Sequence, residues 1–153
     1  MPHNRLILLA DDSADDRFLL RRTFTKAGVL NPIREITSGS DVIAYLNGAG
    51  AYEDRASDPF PSILLLALHM RGVHGFGVLD WIRKEIPSRG LLVVVLSRLD
   101  EVKNVNRAYS LGANSFLTKP GTEAELEGLI GSFRDYWLLR NRPPEHKGSK
   151  SVQ

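Results

Sequence analysis

Leu6-Ile7-Leu8-Leu9-Ala10-Asp11-Asp12 places five apolar residues directly before two carboxylates. An unbroken apolar run of this length predicts a strand that is buried on both faces, as parallel strands covered by helices are. Asp11 and Asp12 then lie at the C-terminal end of that strand. Because parallel α/β sheets bind ligands at the carboxyl ends of their strands, this edge is where a functional crevice is expected.

The rest of the chain repeats this alternation of short apolar runs with longer stretches of helical periodicity. The predicted strands cover residues 6–10, 33–36, 63–68, 91–96 and 115–117. The predicted helices cover residues 14–27, 40–46, 76–85, 100–111 and 122–139. Five strands and five helices in strict alternation predict an α/β fold with a doubly wound, five-stranded parallel sheet.

Local signals support these boundaries. Ser13 is a candidate N-cap, and Asp15 and Asp16 in the following turn favour the helix dipole. Thr122 with Glu125 three residues later matches a capping box at the start of the last helix. Residues 47–61 are polar and contain Gly, Pro and Asp, which predicts a surface loop.

Composition bounds the class of protein. A chain of 153 residues that is 42% hydrophobic and 25% charged suits one globular domain, expected over residues 1–140, with residues 141–153 predicted to be a disordered tail. Zero cysteines exclude a disulfide framework and a cysteine zinc site, and they fit a cytoplasmic location. No apolar run approaches the ~18 residues of a membrane span, so a soluble protein without membrane contact is expected.

The charge pattern gives weak support for nucleic-acid binding. The net charge is +2, and the basic residues are scattered apart from a cluster in the tail. Affinity for phosphates needs a focused basic patch, so no nucleic-acid partner is expected. Neither a Gly-x-Ser-x-Gly elbow nor a His-Glu-x-x-His motif is present, and an enzyme is not expected.

Four features are predicted to meet at the carboxyl edge of the sheet. They are the pair Asp11-Asp12, Ala67 after the third strand, Ser97 after the fourth and Lys119 after the fifth. Two carboxylates on one turn suit a hard ion such as Mg²⁺, which takes oxygen ligands. The alternative is that Asp11 and Asp12 form only an acidic turn that caps the first helix.

Together these residues resemble the receiver domain of two-component response regulators, over about residues 6–140. The matching residues are Asp11-Asp12, Ser97 after Val93-Val94-Val95-Leu96, Phe116, and Lys119-Pro120 after Gly112-Ala113-Asn114. The resemblance implies a (βα)5 flavodoxin-like fold. The loop that contains Tyr52 and the ending at residues 133–138 are further similar to single-domain regulators associated with phytochrome-type histidine kinases.

In the family that the chain resembles, an aspartate at the end of the third strand accepts a phosphoryl group, and Mg²⁺ bridges it to the acidic pair. The corresponding residue here is Ala67, whose methyl group can neither attack phosphorus nor bind a cation. The neighbouring His69, Arg71 and Gly72-Val73-His74-Gly75 also depart from the family pattern. Only weak or absent Mg²⁺ binding at Asp11 and Asp12 is therefore expected.

The resemblance also assigns switch roles. Ser97 would contact the phosphoryl group, Phe116 would change rotamer with it, and Lys119 would pair with Asp11 or Asp12 once the acceptor is missing. The plainer alternative is that Ser97 satisfies backbone groups at a strand end and Phe116 is a core aromatic.

A substitute acceptor would be His69, Asp11 or Asp12. His69 and His74 could also bind a transition metal, although an exposed loop pair without a third ligand is the simpler interpretation.

The function expected from these residues is that of a stand-alone, degenerate receiver domain that acts by protein contact. The expected partner is a histidine kinase, phytochrome-like by resemblance, another signalling protein, or a second copy of the chain. The resemblance implies that a second copy would bind through the fourth helix, fifth strand and fifth helix. Tyr136, Trp137 and Leu138 are candidate interface anchors, whereas Phe133 is expected to pack on the sheet. The alternatives are a phosphorelay receiver with a substitute acceptor and a module that binds a small anion.

A substitution at Ala67 tests the electrostatic part of this interpretation. Ala67→Asp adds a carboxylate to the cluster that contains Asp11 and Asp12, and like charges at short range repel one another. We predict that A67D melts at a lower temperature than the wild type when Mg²⁺ is absent. Thermal unfolding of both proteins in a chelating buffer measures this, and an equal or higher melting temperature for A67D would contradict it.

Overall fold

A computed structural model describes residues 5–87, 90–98 and 100–142 of the chain. Its strands are β1 (Ile7–Ala10), β2 (Ile33–Ile36), β3 (Ile63–Leu66), β4 (Leu92–Ser97) and β5 (Ser115–Thr118). Its α-helices are α1 (Ala14–Lys26), α2 (Gly39–Asn47), α3 (Gly75–Glu85), α4 (Val102–Ser110) and α5 (Glu123–Phe133). The predicted alternation is confirmed.

The five strands form one parallel sheet in the order β2-β1-β3-β4-β5. The strand order therefore reverses at β1, which lies between β2 and β3. Ala10 is in register with Leu66, and the Ala67 N–H donates to the Ala10 carbonyl at 3.0 Å. This is the doubly wound arrangement that the sequence predicts, and its switch point lies between the ends of β1 and β3.

Successive residues of the strands place their side chains alternately in two hydrophobic cores, one on each face of the sheet. One core joins the sheet to α2, α3 and α4, and the other joins it to α1 and α5. Leu8, Leu64 and Val93 face the first core, whereas Ile7, Ile63 and Val94 face the second. Because helices cover both faces, β1 and β3 are apolar at every position and β4 at every position before Ser97, and this explains the unbroken runs in the sequence.

Hydroxyl side chains begin three of the helices. Ser13, Ser38 and Thr122 accept hydrogen bonds from the backbone N–H three residues later, at 3.2, 3.1 and 3.2 Å. Ser38 starts α2 one residue earlier than predicted, and α4 starts two residues later than predicted. Within the described ranges, no helix combines the length and the apolar character that crossing a bilayer requires.

The loop at residues 47–61 is more firmly anchored than the sequence predicts. Asp58 is buried and forms an ion pair with Arg34, and the Tyr45 hydroxyl donates to the Pro59 carbonyl at 2.8 Å. Arg55 donates to the carbonyls of Leu46 and Asp58 at 3.0 and 2.9 Å. The prediction of a surface loop is confirmed for most of these residues, which are exposed or partly exposed. Asp58 is the exception among the charged residues, because its ion pair with Arg34 on β2 holds it in the interior.

The last helix changes geometry after Phe133. Residues Arg134–Arg140 form a π-helix instead of continuing α5. Phe133 packs edge-to-face on Phe24, with ring centroids 5.8 Å apart, as expected for a core residue. A π-helix bonds i to i+5, which puts Leu138 on the same face as Phe133, and only 2% of Leu138 is exposed.

The prediction of Leu138 as an interface anchor is therefore wrong. Tyr136 is exposed, and Trp137 is partly buried against the core. The predicted disordered tail lies outside the described residues from position 143 onward.

Candidate functional site

The carboxyl edge of the sheet forms a crevice that brings the predicted site residues together. Asp11 and Asp12 follow β1, Ala67 follows β3, Ser97 ends β4 and Lys119 follows β5. The crevice is also lined by Asp15, Asp16, His69 and Arg98. Phe116 lies on β5 instead and packs against the core of α2, α3 and α4.

The ammonium group of Lys119 is the centre of the crevice. Its Nζ donates to Asp11 Oδ2 at 2.5 Å and to Asp16 Oδ2 at 2.8 Å. Only 10% of the Lys119 side chain and 5% of the Asp11 side chain are exposed. The Lys119 backbone N–H donates to the Ser97 carbonyl at 2.9 Å, which fixes where the lysine leaves the sheet. The expected contact with the acidic pair is thus made by Asp11.

Asp16 is the site residue that the sequence did not reveal. It was assigned only to the helix dipole, yet it binds Lys119 and also accepts from Arg98 Nη1 at 3.1 Å. Partial burial acts to raise the pKa of Asp16, but the hydrogen bonds and positive charges of Lys119 and Arg98 hold the pKa below its ordinary value. Asp16 is therefore a carboxylate that stays ionised between two cations.

The Asp11 carboxylate is held from both sides. Its Oδ1 accepts from the Ser13 N–H at 3.0 Å, while its Oδ2 accepts from Lys119. Arg17 steadies the same turn by donating to the Asp11 carbonyl at 2.7 Å and to Glu35 at 2.9 Å. The Asp11 carboxylate is thus held in one orientation, and each of its two oxygens accepts a hydrogen bond.

This donor set fits a divalent cation poorly. Mg²⁺ needs oxygen ligands, but Lys119 occupies Asp11 and the side chain of Ala67 offers only a methyl group. Among the residues that the structure describes, no group of three or more His, Cys, Asp or Glu side chains is placed to hold a metal ion. The Lys119 ammonium group occupies the position beside Asp11 Oδ2.

The segment after Ala67 contacts the backbone of its neighbours so closely that Gly75 and Gly39 have no room for a side chain. A Cβ on Gly75 would lie 2.6 Å from the Ala67 carbonyl oxygen, and a Cβ on Gly39 would lie 1.8 Å from the Val73 carbonyl oxygen. The Gly39 N–H donates to the Arg71 carbonyl at 2.9 Å, which ties the segment to the start of α2. The unusual sequence 72–75 therefore builds a fixed connection between β3 and α3.

The two histidines of this segment have different environments. The rings of His69 and His74 lie 5.7 Å apart, and both residues are exposed. His74 is nevertheless the N-cap of α3, because its Nδ1 accepts from the Phe76 N–H at 3.1 Å. His69 lies at the crevice and is the histidine placed to meet a ligand there.

Of the three residues with predicted switch roles, Ser97 and Phe116 are packed into the fold. Ser97 is buried at the end of β4, with 5% exposed. Phe116 is half-buried, and its backbone N–H donates to the Tyr109 hydroxyl at 3.1 Å. These positions are compatible with either a switch role or a purely structural role.

The crevice is acidic overall. Four carboxylates line it, from Asp11, Asp12, Asp15 and Asp16, against the two cationic side chains of Arg98 and Lys119. Both cations are paired with Asp16. Electrostatics therefore disfavour a free anion in this crevice.

The chain matches a known protein family over the part that contains these site residues. Positions 7–130 match the response regulator receiver domain, and the chain belongs to this family. Receiver domains are signalling modules of two-component systems. The resemblance drawn from the sequence is thus confirmed at the level of the family.

Individual relatives cover nearly the whole chain. The probable methanogenesis regulatory protein FilR2 of Methanothrix harundinacea is 30% identical over 139 residues, which are 91% of this chain and 87% of that protein. The crystal structure of RPA3017, a response regulator in red light signalling of R. palustris, matches with a TM-score of 0.85 and 30% identity over 92% of this chain and 98% of that one. The Mn²⁺-bound form of the response regulator Rcp1 matches with a TM-score of 0.82 and 26% identity over 92% and 99%.

The cap formed by His74 predicts a specific pH dependence. Although much of His74 is exposed, the protein atoms around its ring remove part of its hydration and lower its pKa, and the positive charges of His69 and Arg107 lower it further. The folded state therefore favours the neutral ring that can accept the Phe76 N–H. The cap then stabilises the fold above the ordinary histidine pKa of about 6.5, and this contribution is lost as the pH falls through the lower pKa of the folded state.

His74→Asn keeps a good N-cap that does not titrate. We expect the melting temperature of the wild type to fall more than that of H74N between about pH 7.5 and pH 5, a range that spans the histidine pKa. Thermal unfolding across this range measures the difference, and all other titrating groups are common to both proteins. Parallel curves for the two proteins would show that the His74 cap has no such role.

Proposed function

We propose that this receiver domain signals through protein contacts without forming an aspartyl phosphate. The observation that carries the proposal is Ala67. Its methyl group follows β3, at the position where the family carries the phosphoryl acceptor, and lines the same crevice as Asp11, Asp12, Ser97 and Lys119. Phosphoryl transfer needs a nucleophilic oxygen at that point, and Ala67 supplies none.

The other candidate acceptors are less well placed. Asp11 is buried, and it has the Ser13 N–H on one oxygen and Lys119 on the other, so its carboxylate is less accessible and less nucleophilic than that of an exposed aspartate. His69 and Asp12 are more accessible and are the groups that an experiment has to exclude. A phosphorelay receiver with one of these substitute acceptors is the rival proposal.

Weak metal binding follows from the same residues. Rcp1 is known in a Mn²⁺-bound form, and this relative makes a divalent cation a reasonable ligand to test here. In this chain, Lys119 lies on Asp11 and two cationic side chains line the crevice. We propose that Mg²⁺ binds at Asp11 and Asp12 weakly, because it must compete with the ammonium group.

The proposed partner is a histidine kinase or a second copy of the chain. The similarity to the bacteriophytochrome response regulator RtBRR supports a kinase of the phytochrome type. The exposed apolar residues that could form contacts include Tyr136 and Leu139 near the end of the chain, and Val102 and Tyr109 on α4. Large aromatic and aliphatic side chains of this kind are typical anchors of protein interfaces.

The small-anion alternative is the weaker one. Both cations of the crevice are paired with Asp16, and the lining carries two more carboxylates than cationic groups. An anion would have to displace Asp16 from Lys119 and Arg98 before it gained a partner.

Phosphoryl uptake tests the proposal directly. We expect the wild type to gain no phosphoryl mass when it is incubated with acetyl phosphate and Mg²⁺, whereas A67D gains one group, because only A67D has a carboxylate at the end of β3. Ala67→Asn is the matched control, since its side chain has nearly the same size as that of Asp but lacks the carboxylate nucleophile. Intact-protein mass spectrometry of the three proteins gives the readout.

Phosphorylation of the wild type would overturn the proposal and favour a substitute acceptor. Peptide mapping of the modified protein would then distinguish His69 from Asp11 and Asp12.

A further inference from the structure

One carboxylate oxygen on α1 contacts residues from two of the loops around the crevice. Asp16 Oδ2 accepts from Lys119 Nζ at 2.8 Å and from Arg98 Nη1 at 3.1 Å. Asp16 belongs to the first turn of α1, Lys119 follows β5, and Arg98 directly follows Ser97 at the end of β4. The three residues are far apart in the chain, so the contact exists only in the folded protein.

We propose that the Asp16 carboxylate, by holding Arg98 and Lys119 together, ties the β4–α4 and β5–α5 connections to α1 and fixes the crevice in one conformation without a phosphoryl group. The functional role of these contacts rests on the proposed function, because a receiver without an acceptor needs another source of attraction at the end of β4. The contacts themselves involve only the side chains of Asp16, Arg98 and Lys119.

Asp16, Arg98 and Lys119 together form an ionic clamp. Asp16 is well suited to be the fixed member of this clamp. The Ser13 hydroxyl accepts from the Asp16 N–H at 3.2 Å, so the helix cap holds the backbone of Asp16 in place. The negative charge near the start of α1 also interacts favourably with the helix dipole. The backbone of Asp16 is therefore held by its own helix, independently of the two cations.

The two ion pairs of the clamp differ in exposure. The Lys119 side chain is 10% exposed and that of Asp16 is 19% exposed, whereas that of Arg98 is 61% exposed. Salt screens an exposed pair strongly and a buried pair much less. The pair between Lys119 and Asp16 thus forms the permanent part of the clamp, and Arg98 is the part whose removal leaves the fold intact.

The position of Arg98 gives the clamp its effect. Arg98 is the first residue beyond β4, so a force on its guanidinium group acts on the connection to α4. The attraction to Asp16 pulls this connection toward the end of β1. Ionic attraction within the chain thereby supplies the tie between β4 and the acidic edge.

Hydrogen exchange tests the clamp on the full chain. We expect Arg98→Gln to raise the amide exchange rate of the connection between β4 and α4 by up to about fivefold, which is about 1 kcal/mol, the upper range for an exposed ion pair. About 1 M NaCl, where the Debye length is about 3 Å, should raise the exchange of the wild type in the same segment and leave R98Q nearly unchanged. Exchange followed by mass spectrometry at the peptide level gives the readout.

Arg22→Gln is the matched control. It removes a similarly exposed ion pair, between Arg22 on α1 and Glu123 on α5, and should leave exchange between β4 and α4 as in the wild type. In an Asp16→Asn background, R98Q should have no further effect, because the shared carboxylate is already gone.

Two results would overturn the clamp. One is exchange in R98Q that equals that of the wild type at low salt. The other is an R98Q effect that persists in the D16N background. Phosphoryl uptake by the wild type is a separate measurement, so failure of the proposed function and failure of the clamp can be told apart.

Discussion

The crevice depends on one buried positive charge, the ammonium group of Lys119. A lysine with 10% of its side chain exposed is stable in its charged form only when carboxylates replace the lost water, and Asp11 and Asp16 do so at 2.5 and 2.8 Å. Removing one carboxylate of such a set leaves a charge poorly compensated, which costs more than the pair contributes when intact. The ends of β1 and β5 and the first turn of α1 are therefore fixed relative to one another.

This arrangement gives a physical account of a receiver domain without an aspartate at position 67. A third carboxylate at the ends of β1 and β3 would add repulsion and favour an external cation. With a methyl group in that place, the ammonium of Lys119 lies on Asp11, and Asp16 and Arg98 complete the charge balance. The proposed loss of phosphoryl chemistry rests on Ala67, whereas the proposed clamp rests on Asp16, Arg98 and Lys119.

The sequence predicted the fold well because the central strands are buried on both faces. Runs such as Ile63–Leu66 can satisfy their surroundings only between two layers of helices, and Ser13 and Thr122 marked the starts of helices correctly. The contact of Lys119 with the acidic pair was expected from the resemblance to receiver domains, because β1 and β5 are separated by two strands and strand order alone does not bring their ends into contact. Local pattern was sufficient wherever the interaction was local.

The remaining features depend on geometry that no short pattern contains. Asp16 and Arg98 are 82 residues apart, and nothing near either one identifies the other. The burial of Leu138 follows from a π-helical turn after Phe133, where an α-helical reading gives the wrong face. The cap formed by His74 requires a ring nitrogen to act as the acceptor, a role usually filled by Ser, Thr, Asp or Asn.

Mg²⁺ affinity tests the central claim most directly, because the claim is that Lys119 takes the place of the cation at Asp11. Isothermal titration calorimetry of the wild type and A67D with Mg²⁺, at equal protein concentration and ionic strength, measures it. The account predicts saturable binding to A67D and no saturation of the wild type over the same concentrations. Equal affinity of the two proteins would show that Ala67 and the ammonium group do not control the site, and would contradict the account.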